Sequence, residues 1–300
     1  MVPPYASAGV IGTGAMGGGV VQSLVRAGIA TSARDIRPEA QARAVGHGAV
    51  PCDSPASLAH ACDIVIVLVV DAGQVETVLF GADGVAHAAA RDRVVLVSST
   101  VDPAYVTALA PRLAAASIAL LDAPVSGGPA RAAAGTMTMM VSGDPGAQSR
   151  VRAVLDRIAG RVFELGPRAG DASTFKIVNN LLAGANLAAG AEALALAQAA
   201  GLDLERVRDV VNASSGGSWI FADRIARALT GDLAPRAAVT LLAKDVGIAA
   251  TLAERLGVDA PFSRLASRAF ARAAAAGHGD DDDAVLMRLA LDAARRDSDR

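Results

Sequence analysis

Short apolar runs of strand length alternate with helical patterns through the first half of the chain: Ala8 to Ile11, Asp63 to Val70, Arg93 to Ser98, Ala119 to Leu121 and Thr136 to Ser142. Such alternation predicts a parallel sheet with helices on both faces. Asp63 to Val70 is mostly β-branched and continuous, the pattern of a central strand buried on both sides. From about Asp171 the strand signal disappears. Helical periods punctuated by Gly201, Gly216-Gly217, Gly231 and Gly257 follow, so the second half reads as all-α. A long helix from about Ala172 to Ala200, roughly 40 Å at 1.5 Å per residue, links the halves. Its apolar stretch Leu181 to Gly201 is Ala- and Gly-rich and carries Asn186 and Glu192, which predicts a buried helix of a soluble protein rather than a membrane span. Gly184 and Gly190 lower its helix propensity, and close packing against another helix would account for them. The run Asp280 to Asp283 reads as a solvated cap before a last helix, Ala284 to Arg296.

Gly12-Thr13-Gly14-Ala15-Met16-Gly17 follows the first strand and opens a helical pattern at Val20 to Ala27. These glycines permit a tight turn, close approach of backbone to a pyrophosphate, and packing of helix on strand. Asp35, eighteen positions after Gly17, stands where the dinucleotide fingerprint places an acid. It would accept hydrogen bonds from the adenosine ribose hydroxyls and repel a 2′-phosphate, which favours NAD over NADP. Arg34 and Arg37 flank it and would soften that preference, and Ala30 to Ala33 before it is a poor strand. The predicted architecture is an N-terminal Rossmann-type doubly wound sheet, residues 1–166, followed by an all-α domain, residues 167–300.

Composition narrows the chemistry. A net charge of −2 with interspersed signs argues against nucleic acid or a membrane surface and for a small soluble ligand. Two cysteines without a CxxC spacing and four scattered histidines predict a reducing, cytoplasmic setting and no metal site. The amino terminus has no signal-peptide pattern. Of 28 basic residues only Lys176 and Lys244 are lysines, and both lie in apolar helical stretches. Lysine can titrate when buried and arginine cannot, so both positions point to proton transfer. Lys176-Ile-Val-Asn179-Asn180 puts an amine and two carboxamides at i, i+3 and i+4, on one helix face. Asp122-Ala-Pro-Val-Ser126-Gly127-Gly128-Pro129 runs a strand into a turn whose amides and hydroxyl form a donor set suited to a carboxylate.

Four segments, Gly9 to Gly17, Asp122 to Asp144, Gly170 to Asn180 and Lys244 to Gly247, together resemble the β-hydroxyacid dehydrogenase family, relatives of 3-hydroxyisobutyrate dehydrogenase. The resemblance implies that Lys176 is the acid/base and that Asn180 helps hold the substrate. Ser126, Gly127 and Gly128 would bind its carboxylate. Thr100 and Lys244 would approach the cofactor, with Asp245 beside the pocket. Val69 and Val70 replace the usual Leu-Pro of the cofactor side, and Arg131 replaces a common glycine. Arg131, Gly190 to Glu192, Ser218-Trp219 and Pro235 to Val239 resemble the branch containing L-threonate dehydrogenase, which places Trp219 against the pocket.

The expected function is NAD-dependent oxidation of the 3-hydroxyl of a small carboxylic acid by a homodimer or homotetramer. Neutral Lys176 would take the hydroxyl proton, which requires burial and the cationic nicotinamide to lower its proton affinity. NADPH-linked semialdehyde or imine reductases share the architecture, but the former favour a basic residue at position 35 and the latter usually lack the lysine. A non-catalytic nucleotide-binding module is the alternative from another class, and Lys176 speaks against it.

Overall fold

A computed structural model describes residues 7–88 and 92–298, with side chains through 295. Residues 1–6, which bear on the signal-peptide reading, lie outside the described residues. The strands are β1 (Ser7–Ile11), β2 (Ala30–Arg34), β3 (Val50–Pro51), β4 (Ile64–Val67), β5 (Arg93–Val97), β6 (Ile118–Asp122), β7 (Val125–Ser126), β8 (Met137–Gly143) and β9 (Ala159–Glu164). The helices are α1 (Ala15–Arg26), α2 (Pro38–Gly46), α3 (Pro55–Ala61), α4 (Ala72–Phe80), α5 (Pro103–Ala114), α6 (Gly128–Ala134) and α7 (Pro145–Ile158). They continue as α8 (Asp171–Ala199), α9 (Leu204–Asn212), α10 (Trp219–Thr230), α11 (Val239–Arg255), α12 (Pro261–Ala273) and α13 (Val285–Ser298). The chain divides into two compact units, Met1–Lys176 and Ile177–Arg300.

The sheet of the first unit runs β3-β2-β1-β4-β5-β6-β8-β7, with β9 paired to β8. From β3 to β6 every pair is parallel. Side chains alternate between two cores: Ile64, Ile66, Val94 and Leu96 enter one, while Val65, Val67, Val95 and Val97 enter the other. The fully parallel sheet expected from the pattern is corrected at its far edge, where β8 runs antiparallel to both β6 and β7. Only ten residues separate Ser126 from Met137, which is short for the crossover that a parallel return requires. The run Asp63 to Val70 also yields a shorter strand. The Leu68 amide still reaches the Ile11 carbonyl at 2.9 Å, and from Val69 the ladder is replaced by side-chain acceptors: Ser99 Oγ takes the Val69 amide at 2.9 Å and Gln74 Oε1 takes the Val70 amide at 3.0 Å.

The second unit is helical throughout its named elements and closes around Leu187, Leu194, Phe221, Ile225, Val246 and Phe270. A Cβ on Gly184 would strike Val246 of α11, and one on Gly190 would stand 2.6 Å from the Phe221 ring of α10. The two glycines therefore serve close helix packing, as expected. The expectation that the long helix is buried holds for one side only. In α8, Ile177, Leu187 and Leu194 are buried, but Phe175, Val178, Leu182 and Leu196 are exposed. Its most apolar window has a mean hydropathy of 1.2 and is 39% buried, and by length and composition it is the one described helix that could cross a membrane.

The aspartate run is not the solvated cap it resembled. Asp282 is 0% exposed and Asp283 2%, because α10 brings Arg224 and Arg227 against them. Arg224 pairs with Asp283 through Nε, and Arg227 Nη1 lies 2.6 Å from Asp282 Oδ1. Asp282 also accepts the amides of Arg236 and Ala237 at 2.8 and 3.1 Å, which fastens the segment before α11 to the start of α13. Burial pushes the Asp283 carboxyl up to about 6 despite the Arg224 guanidinium. Hydrogen bonds from Arg236, Arg227, Ala284 and Ala237 overcome the burial of Asp282 and hold its carboxyl below the ordinary range.

Candidate active site

In the first unit the turn Gly12 to Gly17 joins β1 to α1. Gly12 has φ of 88°, and a Cβ there would collide with the Leu68 carbonyl. A Cβ on Gly17 would collide with the Gly12 carbonyl. Gly14 caps α1 without a side-chain bond, so the first-turn amides face no capping oxygen of their own. A donor set at a helix N-terminus, stripped of side chains by close backbone packing, fits a dinucleotide pyrophosphate. Thr13 is buried, whereas Ala15 and Met16 begin the helix at its more open side.

Asp35 follows β2 directly. The register is fixed by Ile11 opposite Arg34 and by the Gly12 amide on the Arg34 carbonyl at 2.9 Å, although Ala30 to Ala33 has little strand propensity. The Asp35 carboxylate accepts the Thr13 amide at 2.7 Å and the Arg37 amide at 2.9 Å, and Arg37 Nε lies 3.4 Å from Oδ1. Burial opposes its ionisation, but the bonds from Arg37 and Thr13 prevail and its carboxyl titrates below the ordinary value. Beside it is a cavity of about 520 Å³ lined by Arg34, Asp35, Ile36 and Gln41. Ile36 is 83% exposed at its edge, an apolar surface that no local pattern signals. Val69 adjoins Ser99 through its amide, next to Thr100 after β5.

Ser126 ends β7, opposite Thr138 of β8, and is half-buried. Gly127 and Gly128 follow with φ of 131° and 74°, which an L side chain would strain. The turn enters α6, whose Ala132 is fully buried. Gly19 of α1 makes that contact possible: a Cβ there would stand 2.7 Å from the Ala133 amide nitrogen and 2.8 Å from Ala132 Cβ. Sequence reasoning misses Gly19, and only its place beside the fingerprint hints at a role.

Lys176 is 8% exposed on α8, and Asp122 anchors that helix. Asp122, 0% exposed at the end of β6, accepts the Gly170 amide at 2.9 Å, the Ser173 amide at 2.8 Å and Ser173 Oγ at 2.6 Å. Ser142 Oγ accepts the Ala172 amide at 3.0 Å. Orphan amides of the first turn are thus satisfied by side chains from β6 and β8 rather than by a local cap. Burial raises the Asp122 carboxyl even so. Its partners stand 48 and 51 residues away, beyond the reach of a local pattern. Asp122→Ala should lower stability by about 3 kcal/mol, since it strands the buried donors of Gly170 and Ser173 together with Ser142 Oγ. Asp122→Asn should cost less, because it keeps an acceptor and removes a buried charge. Urea unfolding compares the two, and equal losses would contradict this account of the helix start.

In the second unit Asp245, Asn180 and Lys244 form one cluster. Asn180 Nδ2 donates to Asp245 Oδ2 at 2.6 Å, and Lys244 Nζ lies 2.6 Å from Asp245 Oδ1. Asn180 is buried one turn beyond Lys176 on α8, whereas Asn179 is exposed and donates to Asn180 Oδ1 at 3.0 Å. The shared face expected for all three therefore holds for Lys176 and Asn180. Trp219 is 67% exposed in the first turn of α10, and among the described residues no hydrogen bond or ring contact joins it to that cluster.

Comparison with known proteins gives two family matches. Residues 7–166 match the NAD binding domain of 6-phosphogluconate dehydrogenase, and residues 170–290 match the NAD-binding domain described for NADP-dependent 3-hydroxyisobutyrate dehydrogenase. An L-threonate dehydrogenase of Cupriavidus necator is 47% identical, over 94% of this chain and 95% of its own. An L-threonate dehydrogenase of Escherichia coli is 42% identical, over 94% and 93%. A crystal structure described as 3-hydroxyisobutyrate dehydrogenase from Salmonella typhimurium superposes with a TM-score of 0.88 at 40% identity, covering 95% of this chain and 99% of that one.

Proposed function

Because the chain belongs to the β-hydroxyacid dehydrogenase family, in its L-threonate dehydrogenase branch, and is an NAD(P)-dependent 3-hydroxyacid dehydrogenase, we propose that it uses NAD to oxidise the 3-hydroxyl of a small, L-threonate-like acid. The product is the 3-oxo acid. Burial of Lys176 on a helix whose first turn is held by Asp122 is the observation that carries this reading.

Bound NAD supplies the hydride acceptor. The amides of Gly12 to Gly17 would hold its pyrophosphate, Asp35 would accept from the adenosine ribose, and Val69, Val70 and Thr100 would line the cofactor side. Ser126 Oγ and the Gly127 and Gly128 amides fix the substrate carboxylate. Lys176 Nζ takes the proton of the 3-hydroxyl and returns it in the reverse direction. Asn180 would orient the substrate and Lys244 would serve the cofactor, while Asp245 holds both side chains through its two oxygens. Trp219 offers an exposed apolar face to the substrate. Residues 1–166 act as the dinucleotide domain and residues 167–300 as the substrate and assembly domain. A homodimer or homotetramer would cover the exposed Phe175, Val178, Leu182 and Leu196. The free thiols of Cys52 and Cys62 accord with a cytoplasmic setting.

NAD is preferred to NADP in this reading because Arg37 is already paired with Asp35, which leaves a 2′-phosphate facing the carboxylate. A panel of 3-hydroxy acids followed by NADH absorbance tests the reaction. L-Threonate should be turned over with NAD, and Asp35→Ser should move kcat/KM toward NADP. Absence of acid-dependent NADH formation would refute the reaction, and equal use of both cofactors by the wild type would refute the role of Asp35.

A further inference from the structure

In the proposed reaction Ser126, Gly127 and Gly128 hold one substrate carboxylate, and any part that a neighbouring residue plays in specificity rests on that reading. Arg131 lies one turn beyond Gly127, and its side chain crosses that residue. A Cβ on Gly127 would stand 2.9 Å from Arg131 Cδ, 3.1 Å from its Cβ and 3.5 Å from its Nε. Glycine at 127 is thus needed both for its backbone and to let this stem pass. Arg131 is otherwise exposed, and its guanidinium has no hydrogen-bond or ion-pair partner among the described residues. The helix beneath it is fixed, since Ala132 is buried against Gly19 of α1. The result is an unpaired five-donor fork carried by a rigid turn beside a donor set that already serves a carboxylate.

We propose that Arg131 is a specificity-determining residue that reads oxygen atoms beyond the carboxylate and the reacting hydroxyl. The substrate class is therefore short polyhydroxylated monocarboxylic acids rather than alkyl-substituted 3-hydroxy acids. Hydroxyl oxygens accept from the guanidinium, while an alkyl substituent in their place would leave a charged donor desolvated and unmatched.

The test is the ratio of kcat/KM for L-threonate to that for 3-hydroxyisobutyrate. Arg131→Met keeps an unbranched stem over Gly127 and removes the fork, and Arg131→Gly removes both. The wild type should favour threonate, and in both variants the ratio should fall by about 10- to 150-fold while NADH binding, followed by fluorescence, is retained. A ratio within about threefold of wild type in both variants would overturn the inference, as would an equal fall for both acids. Loss of NADH binding in both would also overturn it, making Arg131 a packing residue of the α6 turn. Preference of the wild type for 2-(hydroxymethyl)glutarate over threonate would do the same, assigning the fork to a second carboxylate. A wild type that oxidises none of these acids fails the proposed function itself, which separates the two failures.

Discussion

Lys176→Ala is expected to lower kcat by about 10²- to 10⁴-fold with NADH binding nearly intact, because on the proposed reading it removes the proton acceptor and leaves the dinucleotide turn untouched. Lys176 is buried, and Ser173, one turn earlier, is held through both its amide and hydroxyl by Asp122, so the start of α8 is fixed relative to β6. Lys176→Arg should be almost as damaging, since a guanidinium keeps the charge but does not release its proton. Steady-state rates paired with NADH fluorescence titration distinguish loss of chemistry from loss of cofactor. Near-normal turnover in Lys176→Arg would end the acid/base assignment.

Arg224→Met should destabilise the second unit by about 3 to 5 kcal/mol, because it leaves the buried carboxylate of Asp283 without its guanidinium. Arg224→Met combined with Asp283→Leu should regain most of the loss, since burying an ion pair and burying two apolar side chains differ far less than burying half a pair. Urea unfolding of the wild type, both single variants and the double variant gives the coupling. Additive losses would mean that the pair does not act as a unit. The pH dependence follows from the raised Asp283 carboxyl. Between its ordinary 3.8 and about 6, the folded chain holds a proton that the unfolded chain has released. This group alone therefore makes stability fall as pH rises through that window. Asp282, held below the ordinary value, has the opposite effect, and its contribution is lost on acidification.

The parts of the molecule legible in the sequence are those whose partners lie within a helical turn or a strand. The glycine fingerprint, the β-branched run of β4 and the one-turn spacing of Lys176 and Asn180 are of that kind. Ala30 to Arg34 has little strand propensity, and it forms β2 because ladders on both sides hold it. Local reading misses Asp122 for the related reason that its donors lie on a helix far along the chain. The aspartates before α13 fail most plainly. A run of acids reads as solvated unless two arginines more than fifty residues upstream are known to face it. The apolar stretch of α8 reveals the helix and its close contacts at Gly184 and Gly190, but not which of its sides the chain leaves uncovered.

Gly19 bears on how precisely the two halves of the reaction can be aligned. At this point α1 offers no side chain, only a Cα against the backbone of Ala133 and the rotamer-free methyl of Ala132. Side chains at an interface act as springs, since each can change rotamer and let its neighbours drift. Here the spring is missing, so the dinucleotide turn at one end of α1 and the serine-glycine turn leading into α6 share a single frame. On the proposed reading, a carboxylate seated in the second turn inherits the coordinates of the cofactor seated in the first. The entropy of bringing hydride donor and acceptor into line is then lost during folding, not during each catalytic cycle.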